Sequence, residues 1–198
     1  MIFETPTELD TGSLLLRTLG SADAPALFEA IYGDVETTRY LSFARHRSVD
    51  DTTEFIETLL RHTAVGMRRC WLVTDRADGA VVGTIELGMK TLPLLEVGVT
   101  TSRRGPRRRV SMLHATRHVV DWALAQRSTL GVFACCATNN VAHGLLERLG
   151  FVRHAVLAGY AEQPNQGPGS VDYYLYLRSK VLLREARATG YRSGPVPV

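Results

Sequence analysis

The stretch Leu95-Glu-Val-Gly-Val-Thr-Thr101, running on through Ser102-Arg-Arg-Gly-Pro-Arg-Arg-Arg109 into Val110-Ser-Met-Leu-His-Ala-Thr-Arg-His-Val-Val-Asp-Trp122, decides how this chain is read. β-branched residues after Pro93 predict a strand over Leu95–Thr100. Beyond the arginines, Leu113, Thr116, Val120, Ala123 and Leu124 keep the three-and-four spacing of a buried helical stripe, and His114, His118, Asp121 and Gln126 fall largely elsewhere. A strand that passes through a compact turn into a helix leaves the first helical N–H groups unpaired and aimed at the turn, which suits an anion. Five arginines in the seven positions from Arg103 to Arg109 add side-chain charge and the bidentate geometry that phosphate favours.

Composition limits what can surround this element. A chain of 198 residues that is 45% hydrophobic can bury one sizeable core, and one domain is expected. Of 23 basic side chains, removing the five clustered arginines leaves 18 against 20 acidic ones, so the basic character is local. That pattern fits an anion site and makes binding along nucleic acid unlike this chain. Cys70, Cys135 and Cys136 give neither a disulfide framework nor a zinc spacing, and the adjacent pair on a strand points to opposite faces. With no leader and no run of 18 apolar residues, the expectation is a cytoplasmic protein with reduced thiols and no membrane partner.

Taken in order, Ser13–Leu19 reads as a strand and Ser21–Ala30 as a short helix with Pro25 in its first turn. Gly33–Arg47 has no clean period and reads as a loop or broken helix of the kind that lines a substrate entrance. Ser48 and Asp51 cap a second helix with a stripe of Phe55, Ile56, Leu59 and Leu60. Cys70–Asp75 and Val81–Met89 form a hairpin about Asp78-Gly79. After the central helix come a strand over Leu130–Ala137, a helix over Asn139–Leu149 closed by Gly150, a strand over Phe151–Tyr160, a loop over Gly159–Ser170 and a strand over Val171–Leu177. The end of the chain, from Gly190, reads as disordered.

This order resembles the Gcn5-related N-acetyltransferases, in particular the branch of the ribosomal-protein N-terminal (alanine/serine) acetyltransferases. The resemblance spans Ser13 to Arg178. It rests on the hairpin Trp71-Leu72-Val73 with Val81-Val82-Gly83-Thr84-Ile85, on Leu95-Glu96-Val97-Gly98-Val99, on the arginine turn with its helix, and on Asn139 followed by Leu149-Gly150-Phe151. It implies an α/β (α+β) domain over residues 1–180, with a mixed, mostly antiparallel sheet of about seven strands and about four helices, and a tail over 181–198. It also implies acetyl-CoA as co-substrate, no metal, an amine acceptor (protein N-terminus or small molecule), and late strands that pair between subunits, so that a homodimer is one expected assembly.

By the same resemblance the pantetheine arm pairs with the strand carrying Val97 and Val99, and the pyrophosphate sits on the turn Arg104, Gly105, Arg107, Arg108, Arg109, Val110 and Ser111, with Asn139 on the coenzyme-side helix. The family's small residues at that turn fall here on Arg107 and Arg109, or, shifted by one, on Arg108 and Val110. A residue with a Cβ costs about 1 kcal/mol where glycine would take a positive φ. Glu96 is the expected base, acting through water, and Glu86 the second candidate. A backbone N–H near Val97 or Val99 is the expected oxyanion donor. The serine slot of the family's leaving-group acid falls on Ala142, with Tyr160, Tyr173 and Tyr174 elsewhere, and no acid is assigned. His114 and His118 lack the glutamate of a zinc hydrolase helix, and apolar surroundings hold Cys135 and Cys136 as thiols. Two function classes follow: an N-acetyltransferase acting by direct attack in a ternary complex, and a catalytically impaired acyl-CoA-binding or acidic-partner-binding protein with an altered pyrophosphate loop.

Overall fold

The computed structural model describes residues 5–89, 92–104 and 108–181. Eight strands form one sheet: β1 (Glu8–Asp10), β2 (Leu14–Thr18), β3 (Arg68–Asp75), β4 (Val81–Gly88), β5 (Leu94–Thr101), β6 (Gly131–Ala137), β7 (Val152–Glu162) and β8 (Ser170–Ser179). Their order is β1-β2-β3-β4-β5-β6-β8-β7. Every neighbouring pair is antiparallel except β5 with β6. A parallel pair needs a crossover, and the central helix α4 (Arg108–Ala125) supplies it.

The sheet has two covered faces. Trp71, Ile85, Leu87, Leu95, Val97 and Val132 pack against the stripe of α4. That stripe is Met112, Ala115, Thr116, Val119, Val120, Ala123 and Leu124; Leu113, expected in it, only flanks the core. The close approach of α4 to the sheet depends on Gly83, where a Cβ would stand 2.3 Å from the Thr100 carbonyl oxygen and 2.8 Å from Met112 Cε. On the opposite face, Cys70 and Leu72 pack under α1 (Ala24–Leu27), the helical turn Phe28–Tyr32 that extends it, and α3 (Val49–Ala64). Ser48 caps α3 as expected: its Oγ accepts from Asp51 N at 3.2 Å, and the Asp51 carboxylate accepts from Ser48 N. Among the described residues no helix is long and apolar enough to cross a membrane.

Four sequence expectations shift. The three-residue β1 is too short to show alternation, and it brings the strands to eight. The segment Gly33–Arg47 contains one helical turn, α2 (Val35–Thr38), capped by the Asp34 side chain on Thr37 N, which brings the α-helices among the described residues to five. The helix expected from Asn139 begins only at His143 (α5, His143–Arg148), because Asn140 Oδ1 accepts from Ala142 N at 3.0 Å and holds a turn where helix would otherwise start. Strand β7 runs two residues past Tyr160, so the loop proper is 163–169.

Candidate active site

The sheet opens at one place. Strands β5 and β6 pair in register through Leu94↔Gly131, Leu95↔Val132 and Glu96↔Phe133, and pair no further. β5 nevertheless continues to Thr101 beside β4, and β6 continues to Ala137 beside β8. A wedge therefore opens from Glu96, and alternate backbone groups of Val97–Thr101 that point away from β4 meet no strand among the described residues. Gly98 and Val99 are exposed on this edge, whereas the Val97 side chain lies in the α4-side core, so Val97 can meet a ligand through its backbone alone.

Alternation places Glu86, Gly88, Glu96, Gly98, Phe133 and Cys135 on the face covered by α1 and α3. Glu96 lies over Gly88, where a Cβ would come within 3.4 Å of Glu96 Oε2. Glu86 is a diagonal neighbour of Glu96 and is bound by Arg68 Nη1 at 2.7 Å, its side chain only 19% exposed. Burial pushes the Glu86 carboxyl up, the Arg68 guanidinium acts against this, and the nearby Glu96 carboxylate adds to it. Glu86 is thus held by a cation, while Glu96 makes no ion pair with a described residue and stands at the apex of the wedge. Cys135 and Cys136 do point to opposite faces. Burial pushes both thiols up, Cys136 to about 11.

The arginine turn joins the far end of β5 to α4. Gly105 and Arg107 lie outside the described residues. Arg104 N donates to Ser102 Oγ at 3.2 Å, and the Arg104 guanidinium pairs with Glu29. Arg103 meets Glu36 at 3.1 Å, so both arginines tie the turn to the helices across the wedge. Arg108 is half-buried between Asp75, at 2.9 Å, and Asp78. Arg109 and Val110 are exposed on the first turn of α4 with Ser111 beside them, and Arg109 meets no carboxylate among the described residues. His114 and His118 are both exposed further along that helix.

Two segments expected at the acceptor entrance meet, stitched by a residue that sequence reasoning did not single out. Asn165 donates from Nδ2 to Thr38 O at 2.8 Å and to Phe43 O at 2.9 Å, and its Oδ1 accepts from Arg45 N at 2.7 Å. The same loop reaches the segment that follows β6. Buried Gln163 exchanges amide hydrogen bonds with Asn139, at 3.0 and 3.3 Å, so the Asn139 side chain faces the loop. Only the asparagine in a loop of Pro, Gly and Gln hinted at such a clasp. Below it, Tyr32, Phe43, His46 and Phe55 form an aromatic cluster with ring centroids 5.0–5.9 Å apart. An open depression of about 520 Å³ borders that cluster, lined by Phe43, His46 and Asp51 among others. It contains neither Glu86 nor Glu96.

A mixed sheet split beside a buried-face carboxylate, with a basic turn heading the helix at the far end of the split, is the architecture of an acyltransferase domain. The family described as acetyltransferase (GNAT) domain matches residues 13–152, and the chain belongs to that family. A search of curated proteins finds no match. Solved structures share the fold. The ribosomal-protein-S5-alanine acetyltransferase from Vibrio fischeri is 15% identical with a TM-score of 0.72, covering 88% of this chain and 97% of that one. The spermidine N-acetyltransferase from Vibrio cholerae, solved with coenzyme A and spermine, is 17% identical with a TM-score of 0.71, covering 86% and 98%. RimL, a ribosomal L7/L12 acetyltransferase solved with coenzyme A in disulfide linkage to a cysteine, is 13% identical with a TM-score of 0.73, covering 88% and 96%.

Proposed function

We propose that this acetyltransferase-family enzyme moves an acetyl group from acetyl-CoA to a primary amine, a protein N-terminus or a small amine, by direct attack in a ternary complex. The observation that carries the reading is the unpartnered edge of β5 beyond Glu96. An extended pantetheine arm satisfies those backbone groups as an added strand would, and so brings the thioester to the apex of the wedge. The amine then loses its proton to Glu96 through a water, and a β5 backbone N–H near Val97 or Val99 receives the developing oxyanion. The pyrophosphate lies at the head of α4, on Arg109, which meets no carboxylate among the described residues, and on the N–H groups of the first turn, from Val110 and Ser111 onward. We place the reaction in the cytoplasm, where the free thiols of Cys70, Cys135 and Cys136 stay reduced. The exposed edge strand β7 is the surface for the expected homodimer.

A second reading, a protein that only binds an acyl-CoA or an acidic partner through the arginines, draws on the turn's lack of glycines. The ion pairs of Arg103, Arg104 and Arg108 weigh against it, because carboxylates already neutralise much of the charge an acidic partner would need. Thermal unfolding with and without acetyl-CoA separates the two. Coenzyme at about a hundred times its dissociation constant adds roughly 2.7 kcal/mol, about 5–10 °C for a chain of this size. Arg109→Glu is expected to abolish most of that rise. Glu96→Gln is expected to keep it while lowering kcat by about 10²–10³, measured as thiol release with peptides and polyamines as acceptors. No rise at millimolar coenzyme would sink the enzyme reading.

A further inference from the structure

Strand β6, Gly131-Val-Phe-Ala-Cys-Cys-Ala137, is apolar on both of its faces, the pattern of a strand buried on two sides. Only one side lies in a core. Val132, Ala134 and Cys136 pack beneath α4, and Tyr176 of β8 joins them. The opposite side carries Phe133 and Cys135, which pair with Leu177 and Leu175 of β8, and these pair in turn with Val152 and Ala155 of β7. Ala155 is exposed, the other five are half-buried, and none of the six belongs to either hydrophobic core. The helices on this side stop short of them: the core that α1 and α3 close draws no residue from β5, β6, β7 or β8. Single exposed apolar residues are ordinary, but six that adjoin across three strands make a contiguous patch, and such patches mark binding surfaces.

The position of the patch says what lies on it. Glu96 pairs with Phe133 and Phe133 with Leu177, so the candidate base and the patch share one cross-strand row. On its other side the same row holds Gly88 and then Arg68, whose guanidinium binds Glu86. With the wedge given to the coenzyme, an acceptor whose nitrogen reaches Glu96 lays its body either toward a cation or over hydrocarbon. The first repels a second ammonium group, and the second gives it no counter-ion. The patch is equally unsuited to a peptide. β8 is paired on both sides, by β6 and by β7, and none of the six side chains has a donor or acceptor stronger than the Cys135 thiol. A peptide bond laid there would lose its hydrogen bonds to water without replacement.

On the acetyltransferase reading given above, we propose that the acceptor is a small primary monoamine with a hydrocarbon body, its nitrogen at Glu96 and its chain laid along Phe133 and Leu177. One carboxylate meets one ammonium group, and the rest of the molecule meets only carbon and a thiol. The nitrogen forms the C–N bond as the C–S bond breaks, its proton passes through water to Glu96, and the coenzyme thiolate takes a proton from solvent. The products are an uncharged, apolar amide and free coenzyme A. The amide keeps its contacts with the patch but loses its charge at Glu96, which favours its release.

The test is thiol release at saturating acetyl-CoA with the straight-chain amines from ethylamine to hexylamine, set against 1,6-diaminohexane, spermidine and short peptides with free N-termini. The alkylamines share one basicity, so differences among them report the body alone. For wild type, kcat/KM is expected to rise about two- to fourfold per methylene, the upper figure being that of a fully buried methylene. The rise is carried by KM, as binding that is equal in ground and transition state requires. The diamine, spermidine and the peptides fall about tenfold or more below hexylamine. Leu177 lies two strands, about 10 Å, from Glu96. Leu177→Ala lowers the gain per methylene, and Leu177→Glu raises kcat/KM for 1,6-diaminohexane by about tenfold while lowering that for hexylamine. The acetyl-CoA thermal shift persists in both variants, which shows that they fold. A flat alkylamine series, or a polyamine or peptide as the best acceptor, overturns the hydrocarbon acceptor and leaves the acetyltransferase reading standing. A dimer that Leu177→Glu separates without changing the acceptor series makes the patch an interface between copies and overturns it too. Protein that binds acetyl-CoA yet releases no thiol with any amine overturns both readings.

Discussion

The clasp made by Asn165 predicts how the proposed acceptor side of this enzyme is held. One side chain closes three hydrogen bonds to a segment more than a hundred residues away in sequence, at 2.7, 2.8 and 2.9 Å. Each neutral hydrogen bond contributes roughly 1 kcal/mol net. The amide of Arg45 is exposed and finds water when Asn165 is truncated, so Asn165→Ala is expected to cost about 2 kcal/mol rather than about 3. At roughly 2–4 °C per kcal/mol for a domain of this size, that lowers Tm by about 4–8 °C. Asn165→Asp is the sharper perturbation. It keeps an acceptor for Arg45 N but turns a carboxylate oxygen toward the carbonyls of Thr38 and Phe43, so it is expected to destabilise more than alanine despite being isosteric. The assay is differential scanning fluorimetry paired with amide hydrogen exchange over residues 38–46. Exchange there should rise in both variants, while His46 N, which donates to Tyr32 O at 3.0 Å, remains the slowest amide of the segment. Acceptor KM is expected to rise as the segment loosens, with the acetyl-CoA thermal shift unaffected. A Tm within about 1 °C of wild type, together with unchanged exchange over 38–46, would refute the reasoning.

Other perturbations divide stability from function. Gly98→Val adds a side chain whose Cβ meets only Glu86 Cβ, at 3.8 Å; Tm should hold within about 2 °C while the acetyl-CoA thermal shift is lost, since the added methyls enter the wedge. Gly83→Ala has no such room beside the Thr100 carbonyl, and a cost of about 2–3 kcal/mol in urea denaturation is expected. Asp23 is held below the ordinary carboxylate range, first by its hydrogen bonds from Arg17 at 2.6 and 2.8 Å. A folded value below the unfolded one means stability that is present above pH 4 or so and is lost as pH falls through the folded value. Asp23→Asn should therefore lower stability at neutral pH and flatten the acid limb of a Tm-versus-pH curve.

Much of the architecture was legible before any coordinates, because it rests on local chemistry. The hairpin turn at Asp78-Gly79 needs the positive φ that glycine gives, the Ser48–Asp51 box caps α3, and β-branched runs mark the central strands. Each of these signals is complete within a few residues, as is the clustering of arginines before a helix. The stripe of α4 was legible only in part: it was misplaced at Leu113, because two apolar residues in a row satisfy the spacing equally well until the sheet selects Met112.

What the tertiary structure alone decided is which groups face one another. Sequence put Glu96 first and Glu86 second on neighbouring strands; the register gave Glu86 to Arg68 and left Glu96 at the split. Sequence offered the arginines as phosphate ligands, whereas the fold set Arg103, Arg104 and Arg108 against carboxylates of other elements. The bulge in β7 lays the Tyr160 ring beside that of Tyr173, and Asn165 bridges to Thr38 across most of the chain. Propensity and capping are summed over adjacent residues and are written in the sequence itself. A site is made where strands diverge and loops cross, from residues far apart in sequence whose proximity no local pattern encodes.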